Sequence, residues 1–332
     1  MIRNLGPATL FHTLSAAETR WIHLLRILGE LVDKKVYSDE ELNNLTWQDK
    51  CHLIQSDPIT CARHFDHQFQ LYMTTFLKSN LAPLGKIKDH FYRVEFQQRG
   101  SPHIHMLLWI EGAPVYGDQP NEDVVKYIDA TMTCKKPSKE AEPQLSQLVV
   151  YQTHRHSHTC RKSKKQRCRF GFAKPPMPRT MILTPLDANT SDATKEECKV
   201  NLSKIQSFLE AANTDHNMSF EEVLTKLNLS EEAYMLAIRS SLKTNTVFLK
   251  RELRDIHTNS YNKACLLAWR ANLDVQYIID TYACAVYIAS YISKSSRGMG
   301  LLLRQACKEA RQGNSDLYVS RFAPLETNSS IV

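Results

Sequence analysis

Two histidines separated by a single residue, His103 and His105, are the side chains best suited to chemistry in this sequence. Residues i and i+2 of a β-strand point to the same side, so both imidazoles would project from one face. Four apolar residues at the alternating positions would line the opposite face: Ile104, Met106, Leu108 and Ile110. This alternation predicts a central strand with one buried face that displays two potential metal ligands.

The residues before this strand would complete the site. Arg99-Gly100 predicts a hairpin turn, and Glu95 or Gln97 on the preceding strand would then point back across it toward the histidines. Two imidazoles and one carboxylate suit a catalytic divalent ion that keeps open coordination positions. The alternative is that His-x-His at strand spacing is a chance pattern and both histidines are hydrogen-bonded core residues.

A second group of reactive residues lies near the other end of the chain. Tyr287, Tyr291 and Lys294 stand at positions i, i+4 and i+7, which places them on one face of a helix. The alternative is a packed helix that buries two tyrosines and lets the lysine amine reach solvent.

Cysteines and histidines cluster in the middle of the sequence. His156 precedes Cys160 by four positions and Cys168 follows eight later, spacings short enough to close around zinc. A structural zinc takes four ligands, and the remaining one would come from His154, His158 or Cys134. The competing interpretation is a histidine-rich basic loop without metal.

Positive charge is concentrated in the same region. Nine Lys or Arg residues and no acidic residue lie between positions 154 and 179, which favours contacts with nucleic-acid phosphates. A solvated loop or a nuclear-import signal would have the same composition. The candidate DNA-binding residues are Arg99, Arg161, Lys162, Lys164, Lys165, Arg167 and Arg169.

Bulk composition sets limits on the class of protein. The 332 residues are 42% hydrophobic with a formal net charge of +7, which indicates a globular chain that tolerates a polyanionic partner. Nine cysteines, an odd number without a secretory leader, favour a reducing compartment and free thiols or metal ligands. No apolar run reaches transmembrane length, so no membrane association is expected.

The periodicity predicts an α+β fold: a central antiparallel sheet carrying the His-x-His strand, flanked by helices that include the two-tyrosine helix, with helical and Cys/His-rich insertions. Strands are expected at 8–15, in the hairpin and at 246–251, with a short apolar run at 180–183. Helices are predicted at 16–31, 46–77, 121–132, 144–151, 193–241 and 281–294. The pattern of 264–277 is compatible with either a strand or a helix. We divide the domain, 1–332, into an N-terminal part with the hairpin (1–115), a basic Cys/His-rich insertion (116–180), a helical insertion (181–245) and a C-terminal part (246–332).

Five motifs, in order, resemble the HUH endonucleases of rolling-circle replication and transposition, and specifically the Rep nuclease of Helitron transposases. They are the segment from Gly6 to Glu18, the segment from Glu95 to His105, Cys168-Arg169-Phe170-Gly171-Phe172, Asn272-Leu273-Asp274-Val275-Gln276 and the two-tyrosine helix. Together they span most of the chain.

The resemblance implies a single-stranded DNA endonuclease and strand transferase. The resemblance also implies that His103 and His105 bind Mg²⁺ or Mn²⁺. Glu95 is the favoured third ligand because similar viral initiators carry an acidic residue at the same offset before the first histidine, and Gln97 stays open. Tyr287 or Tyr291 would attack the scissile phosphate to give a 5′-phosphotyrosine link, with Lys294 favouring the phenolate. Helitron-like proteins also carry a similar His/Cys block.

The partner implied is single-stranded or locally melted DNA at transposon ends, and the implied location is the nucleus. Thr13 and Ser15 on the first strand are expected to line the DNA groove. Helitron transposases usually continue into a helicase domain, but no G-x-x-x-x-G-K-[ST] loop occurs in this sequence, so we expect no helicase activity from it.

Other functions stay open at this point. The abrupt start suggests a fragment, a decayed copy or a gene model that begins inside a longer protein. The chain could then be a catalytically inactive, domesticated or truncated transposase remnant that acts as a DNA-binding module. A zinc-dependent metalloenzyme of another kind, or a zinc interaction module with the tyrosines in its core, is the further alternative.

Overall fold

The computed structural model describes residues 2–96, 100–157, 160–161, 168–212, 214 and 218–280. The expected tyrosine helix at 281–294 lies outside the described residues. Among those that are described, no helix is both long and apolar enough to cross a bilayer. The division of the chain at 115, 180 and 245 stays a prediction.

A four-stranded antiparallel sheet forms the centre of the fold. Its strands are β1 (Leu10–Ser15), β2 (Ile87–Phe96), β3 (Pro102–Ile110) and β6 (Leu273–Tyr277), in the spatial order β2-β3-β1-β6. The His-x-His strand β3 is therefore an inner strand paired on both sides, as its alternation predicts. The α+β class with an antiparallel sheet is confirmed.

Helices cover the sheet and fill the connections. Before β2 they are α1 (Ile2–Leu5), α2 (Ile22–Leu28), α3 (Asp39–Asn44), α4 (Trp47–Ser56) and α5 (Pro58–Leu71), with single π-helical turns at Gly29–Asp33 and Tyr72–Leu77. After β3 come α6 (Asn121–Thr131) and α7 (Pro143–Val149), with a 3-10 turn at Val150–Gln152. The remaining elements are β4 (Met181–Leu183), α8 (Asp192–Ala211), α9 (Phe220–Leu227), α10 (Glu231–Arg239), β5 (Thr246–Phe248), a 3-10 turn at Leu253–Asp255 and α11 (Lys263–Trp269).

Local chemistry breaks the long helical stretches expected from periodicity. The stretch 46–77 divides where Asp57 accepts a hydrogen bond from the Thr60 N–H and Pro58 begins α5. The stretch 193–241 divides into three helices because Ser219 and Ser230 cap new N-termini. Residues 264–277 contain both a helix and a strand, separated at Arg270, which adopts the left-handed conformation with φ of 57°.

The insertion helices have a hydrophobic core of their own. Helices α8, α9 and α10 bury Ile205, Val223 and Tyr234 together with Leu253 and Ile256. The short antiparallel pair of β4 and β5 lies beside them, with Met181 opposite Phe248. The expected edge strand at 246–251 is therefore real but shorter.

One face of the central sheet belongs to the main core. Leu10 and Leu14 of β1 and Ile104, Met106 and Leu108 of β3 are each fully buried there. Such side chains contribute about 2 kcal/mol each when removed from water. The core therefore fixes which way the strands face, and it directs His103 and His105 to the opposite side.

His12 is the polar exception within this core face. Its Nδ1 lies 2.7 Å from the Asp274 carbonyl oxygen and its Nε2 lies 3.0 Å from the Tyr72 hydroxyl. A neutral imidazole satisfies both contacts, because one nitrogen donates to the carbonyl and the other accepts from the phenol. Burial lowers the pKa of His12 to about 4, although the Asp274 carbonyl favours the protonated form.

The buried imidazole of His12 should make folding stability depend on pH. The unfolded chain binds this proton near pH 6.5 and the folded protein only near 4, so the stabilisation is complete above pH 6.5 and is lost as pH falls toward 4. We expect His12 to account for about 3 kcal/mol of that loss. Denaturant unfolding of wild type and His12→Asn between pH 4 and 7.5 would measure it.

The exposed histidine His52 on α4 provides the matched control. The His12→Asn protein should be less stable at pH 7.5 and show a shallower pH dependence, whereas His52→Asn should follow wild type. Equal pH dependence in His12→Asn and wild type would contradict the assignment.

Candidate functional site

The strand register brings the predicted metal ligands onto one face of the sheet. His103 lies directly opposite Glu95 of β2 on one side and opposite Ser15 of β1 on the other. His105 lies opposite Thr13 of β1. Directly opposed residues of antiparallel strands project to the same side, so all five side chains share the face turned away from the main core.

The distance between His105 and Glu95 is compatible with two ligands of one divalent ion. His105 Nε2 lies 3.1 Å from Glu95 Oε2, and the rings of His103 and His105 are 4.7 Å apart at their centroids. Two ligands at about 2.1 Å from an octahedral ion and at right angles are about 3.0 Å apart. By its chemistry, a donor set of two imidazoles and one carboxylate suits a divalent metal. Gln97 and Arg99 lie outside the described residues.

Burial keeps His103 ready to act as a ligand. It lowers the pKa of His103 to about 4, with a further contribution from the neighbouring His105. His103 is thus neutral at pH 7 and retains a nitrogen lone pair. His105 is 4% exposed, whereas the Glu95 side chain is 32% exposed, so solvent reaches the group from the β2 side.

A second set of polar residues on the same face was not predicted as functional. Asn272, Asp274 and Gln276 alternate with the apolar residues of β6, and Asp274 lies opposite Thr13. Asp274 accepts a hydrogen bond from the Ser260 hydroxyl at 2.8 Å, and burial raises the pKa of its carboxyl. The alternation of polar and apolar residues from Asn272 to Gln276 is the sequence signal that could have indicated these residues.

The Cys/His segment forms a compact four-residue cluster. The ligand atoms of His154, His156, Cys160 and Cys168 all lie within 4.8 Å of one another. His154 Nε2 is 3.3 Å from His156 Nδ1 and 3.4 Å from Cys168 Sγ, and Cys160 Sγ is 3.6 Å from His156 Nδ1. Tetrahedral zinc with these ligand types requires separations of about 3.3–3.8 Å. The cluster can hold a metal, and its spacing suits zinc.

One of the alternative ligands, Cys134, lies away from this cluster. Cys134 is fully buried elsewhere, with its thiol 3.3 Å from the Lys250 carbonyl oxygen. The sequence leaves the fourth ligand open among three residues, and the structure brings His154 together with His156 and the two cysteines. His158 lies outside the described residues.

Backbone contacts hold the cluster in position. The His154 N–H donates to the His257 carbonyl at 2.7 Å, and the Arg169 N–H donates to the Cys160 carbonyl at 2.9 Å. The Ser157 N–H lies 3.3 Å from Cys160 Sγ and lowers the pKa of that thiol, which favours the thiolate that zinc binds.

The structure describes part of the predicted DNA-binding surface. Arg161 and Arg169 are exposed, and the Arg169 guanidinium lies 4.5 Å from the centre of the Phe170 ring. The other basic residues predicted here fall outside the described residues: Lys162, Lys164, Lys165 and Arg167. The same holds for the three residues of the predicted nucleophile helix, Tyr287, Tyr291 and Lys294.

Comparison with known families agrees with the motifs. Residues 1–108 match the family described as the Helitron helicase-like domain at the N-terminus. The matched region contains β1 and β2 and extends through β3 to Leu108, so it includes Glu95, His103 and His105. A comparison with curated proteins gives no match. The predicted resemblance to Helitron proteins is thus confirmed for about the first third of the chain.

The four-residue cluster should bind one zinc ion per chain. We expect Cys160→Ser and Cys168→Ser to lose that metal and to melt at a lower temperature, because zinc holds the segment closed. Metal analysis of the purified proteins and thermal unfolding with and without a chelator would test this.

Cys51, which lies outside the cluster, provides the control as Cys51→Ser. That variant should retain zinc and respond to the chelator as wild type does. Zinc retained in both cluster variants, or absent from wild type, would contradict the assignment.

Proposed function

We propose that this protein is a transposase-related nuclease that cleaves single-stranded DNA and transfers the cut strand, as Helitron-type rolling-circle transposition requires. The observation that carries the proposal is the shared placement of His103, His105 and Glu95, with 3.1 Å between the imidazole Nε2 and the carboxylate Oε2. The match of residues 1–108 to a Helitron-associated domain supports the same assignment.

In this proposal His103, His105 and Glu95 hold a Mg²⁺ or Mn²⁺ ion on the rigid sheet. The bound ion would supply Lewis-acid stabilisation for the charge that develops on the scissile phosphate. The two histidines would contribute imidazole nitrogens and Glu95 a carboxylate oxygen as ligands. Pairing of β3 on both sides keeps these donors fixed before substrate arrives.

The nucleophile would be Tyr287 or Tyr291. The phenolic oxygen bonds to phosphorus as the bond from phosphorus to the 3′ oxygen breaks, which leaves a 5′-phosphotyrosine and a 3′-hydroxyl that receives a proton. A free phenol has a pKa near 10, so Lys294 would favour the phenolate by its positive charge. The second tyrosine would permit a further cleavage while the first DNA end is retained.

Single-stranded DNA is the substrate this arrangement favours. The proposed reaction requires one phosphate to be held by the ion and attacked by a tyrosine, which favours a strand that is free of its complement. The exposed Arg161 and Arg169 add positive charge beside the cluster of cysteines and histidines. The mildly basic net charge of +7 is compatible with such a partner.

Covalent capture of DNA tests the proposed reaction. Purified protein incubated with end-labelled single-stranded DNA and Mn²⁺ should give a protein–DNA band that survives denaturing electrophoresis. We expect His103→Ala to abolish the band because the ion is no longer held, and Tyr287→Phe/Tyr291→Phe to abolish it because no nucleophile remains.

Each single tyrosine variant serves as a matched control, since one phenol can still react. Retention of the band in the double tyrosine variant would contradict the proposed nucleophiles. Binding of single strands by the folded wild type without any covalent band would instead favour an inactive DNA-binding remnant.

Glu95 and Gln97 provide a direct test of the third metal ligand. Glu95→Gln removes the negative charge and should weaken Mn²⁺ binding at least ~10-fold, since even groups that act on a metal through its ligands contribute this much. Gln97→Glu is the matched control and should not reduce affinity. Calorimetric titration with Mn²⁺ would measure the affinity of each variant. Equal affinity of Glu95→Gln and wild type would contradict the role of Glu95 as a ligand.

A further inference from the structure

Ser15 is the neighbour of His103 on the side opposite Glu95. Its hydroxyl oxygen lies 3.0 Å from His103 Nδ1 and 3.4 Å from Asn272 Oδ1. Two hydrogen bonds fix the backbone of Ser15. Its N–H donates to the Asn272 carbonyl at 3.0 Å, and its carbonyl accepts from the Trp269 indole N–H at 2.9 Å. The hydroxyl therefore meets the imidazole from a fixed position.

The amide of Asn272 is oriented by a further contact. Its Nδ2 donates to the Tyr151 carbonyl at 2.8 Å, which turns Oδ1 toward Ser15. An amide oxygen can only accept hydrogen bonds. Asn272 Oδ1 therefore offers the Ser15 hydroxyl an acceptor at 3.4 Å, and a hydroxyl that donates there leaves its oxygen to accept from His103.

The direction of these two hydrogen bonds decides which ring nitrogen of His103 carries the proton. If Ser15 accepts, then Nδ1 of His103 carries the proton and Nε2 carries the lone pair. A metal-binding histidine is commonly fixed in this way by a partner on its other ring nitrogen. We propose that Ser15 and Asn272 are positioning residues that select the Nδ1–H tautomer of His103 and leave Nε2 as its ligand atom.

The proposal rests on the divalent-metal site described above and adds two residues to it. Asn272 immediately precedes β6, the other neighbour of β1 in the sheet, and Tyr151 lies three residues before His154 of the four-residue cluster. The hydrogen-bond chain thus links the His-x-His strand to the segment that leads into the cysteines and histidines.

Metal affinity in a set of variants tests the pair. Ser15→Ala and Asn272→Ala should each weaken Mn²⁺ binding on the order of 10- to 100-fold, while Ser15→Thr should bind nearly as wild type because it keeps a hydroxyl and suits a strand. In a His103→Ala background, Ser15→Ala should have no further effect. In a His105→Ala background, its effect should persist.

The tautomer can also be observed without metal. In protein labelled with ¹⁵N-histidine, the ring signals that disappear in His103→Ala identify that residue, and at pH 7.5 they should show a protonated Nδ1. Ser15→Ala should shift the population toward protonated Nε2. A protonated Nε2 in wild type, or an equal Ser15→Ala effect in the presence and absence of His103, would overturn the proposal.

The outcomes also separate this proposal from the proposed function. Wild-type protein that binds no Mn²⁺ would overturn both. Wild-type binding that Ser15→Ala leaves unchanged would overturn the positioning role alone and leave the metal site intact.

Discussion

The pairing of β3 with β2 and β1 is the constraint on which the rest of the structure depends. Because side chains alternate along a strand, a slip of one residue in either pairing would move the histidines to the opposite face. The fully buried Ile104, Met106 and Leu108 prevent that slip, since it would expose three core side chains. The apolar half of the strand therefore holds the polar half in register with Glu95 and Ser15.

The sequence alone predicted the parts of the fold that depend on the alternation of polar and apolar residues and on short motifs. The inner position of β3, the direction of its two faces and the antiparallel hairpin all followed from the pattern around His103 and His105. The grouping of His156, Cys160 and Cys168 followed from their short spacing, whereas His154 was one of three candidates for the fourth ligand. Helix boundaries were less accessible, because single capping residues such as Ser219 and Ser230 decide them.

Long-range contacts could not be read from the sequence. The hydrogen bond of Ser15 with His103 joins residues 88 positions apart, and that of Ser15 with Asn272 joins residues 257 positions apart. Only the order of strands in the sheet brings them together. Cys134 illustrates the reverse case, since its residue type made it a candidate ligand while its thiol contacts the Lys250 carbonyl.

A local element was missed as well. The short helix α3 was not predicted, although Ser38 and Glu41 form a capping box at its start.

The two groups of potential ligands differ in what the fold requires of them. The two histidines and two cysteines of the cluster stand on described residues that form neither helix nor strand, whereas His103, His105 and Glu95 stand on a sheet that the hydrophobic core holds. The first arrangement suits a structural metal and the second a catalytic one. The hydrogen-bond chain from Tyr151 through Asn272 to Ser15 connects them.

The central claim is that His103 and His105 bind the same divalent ion. Pulsed electron paramagnetic resonance of Mn²⁺ bound to the protein labelled with ¹⁵N-histidine measures how many imidazole nitrogens contact the metal. The account predicts two directly coordinated nitrogens, with one lost in His103→Ala and the other in His105→Ala. A spectrum without imidazole coupling, or one that neither variant changes, would contradict it.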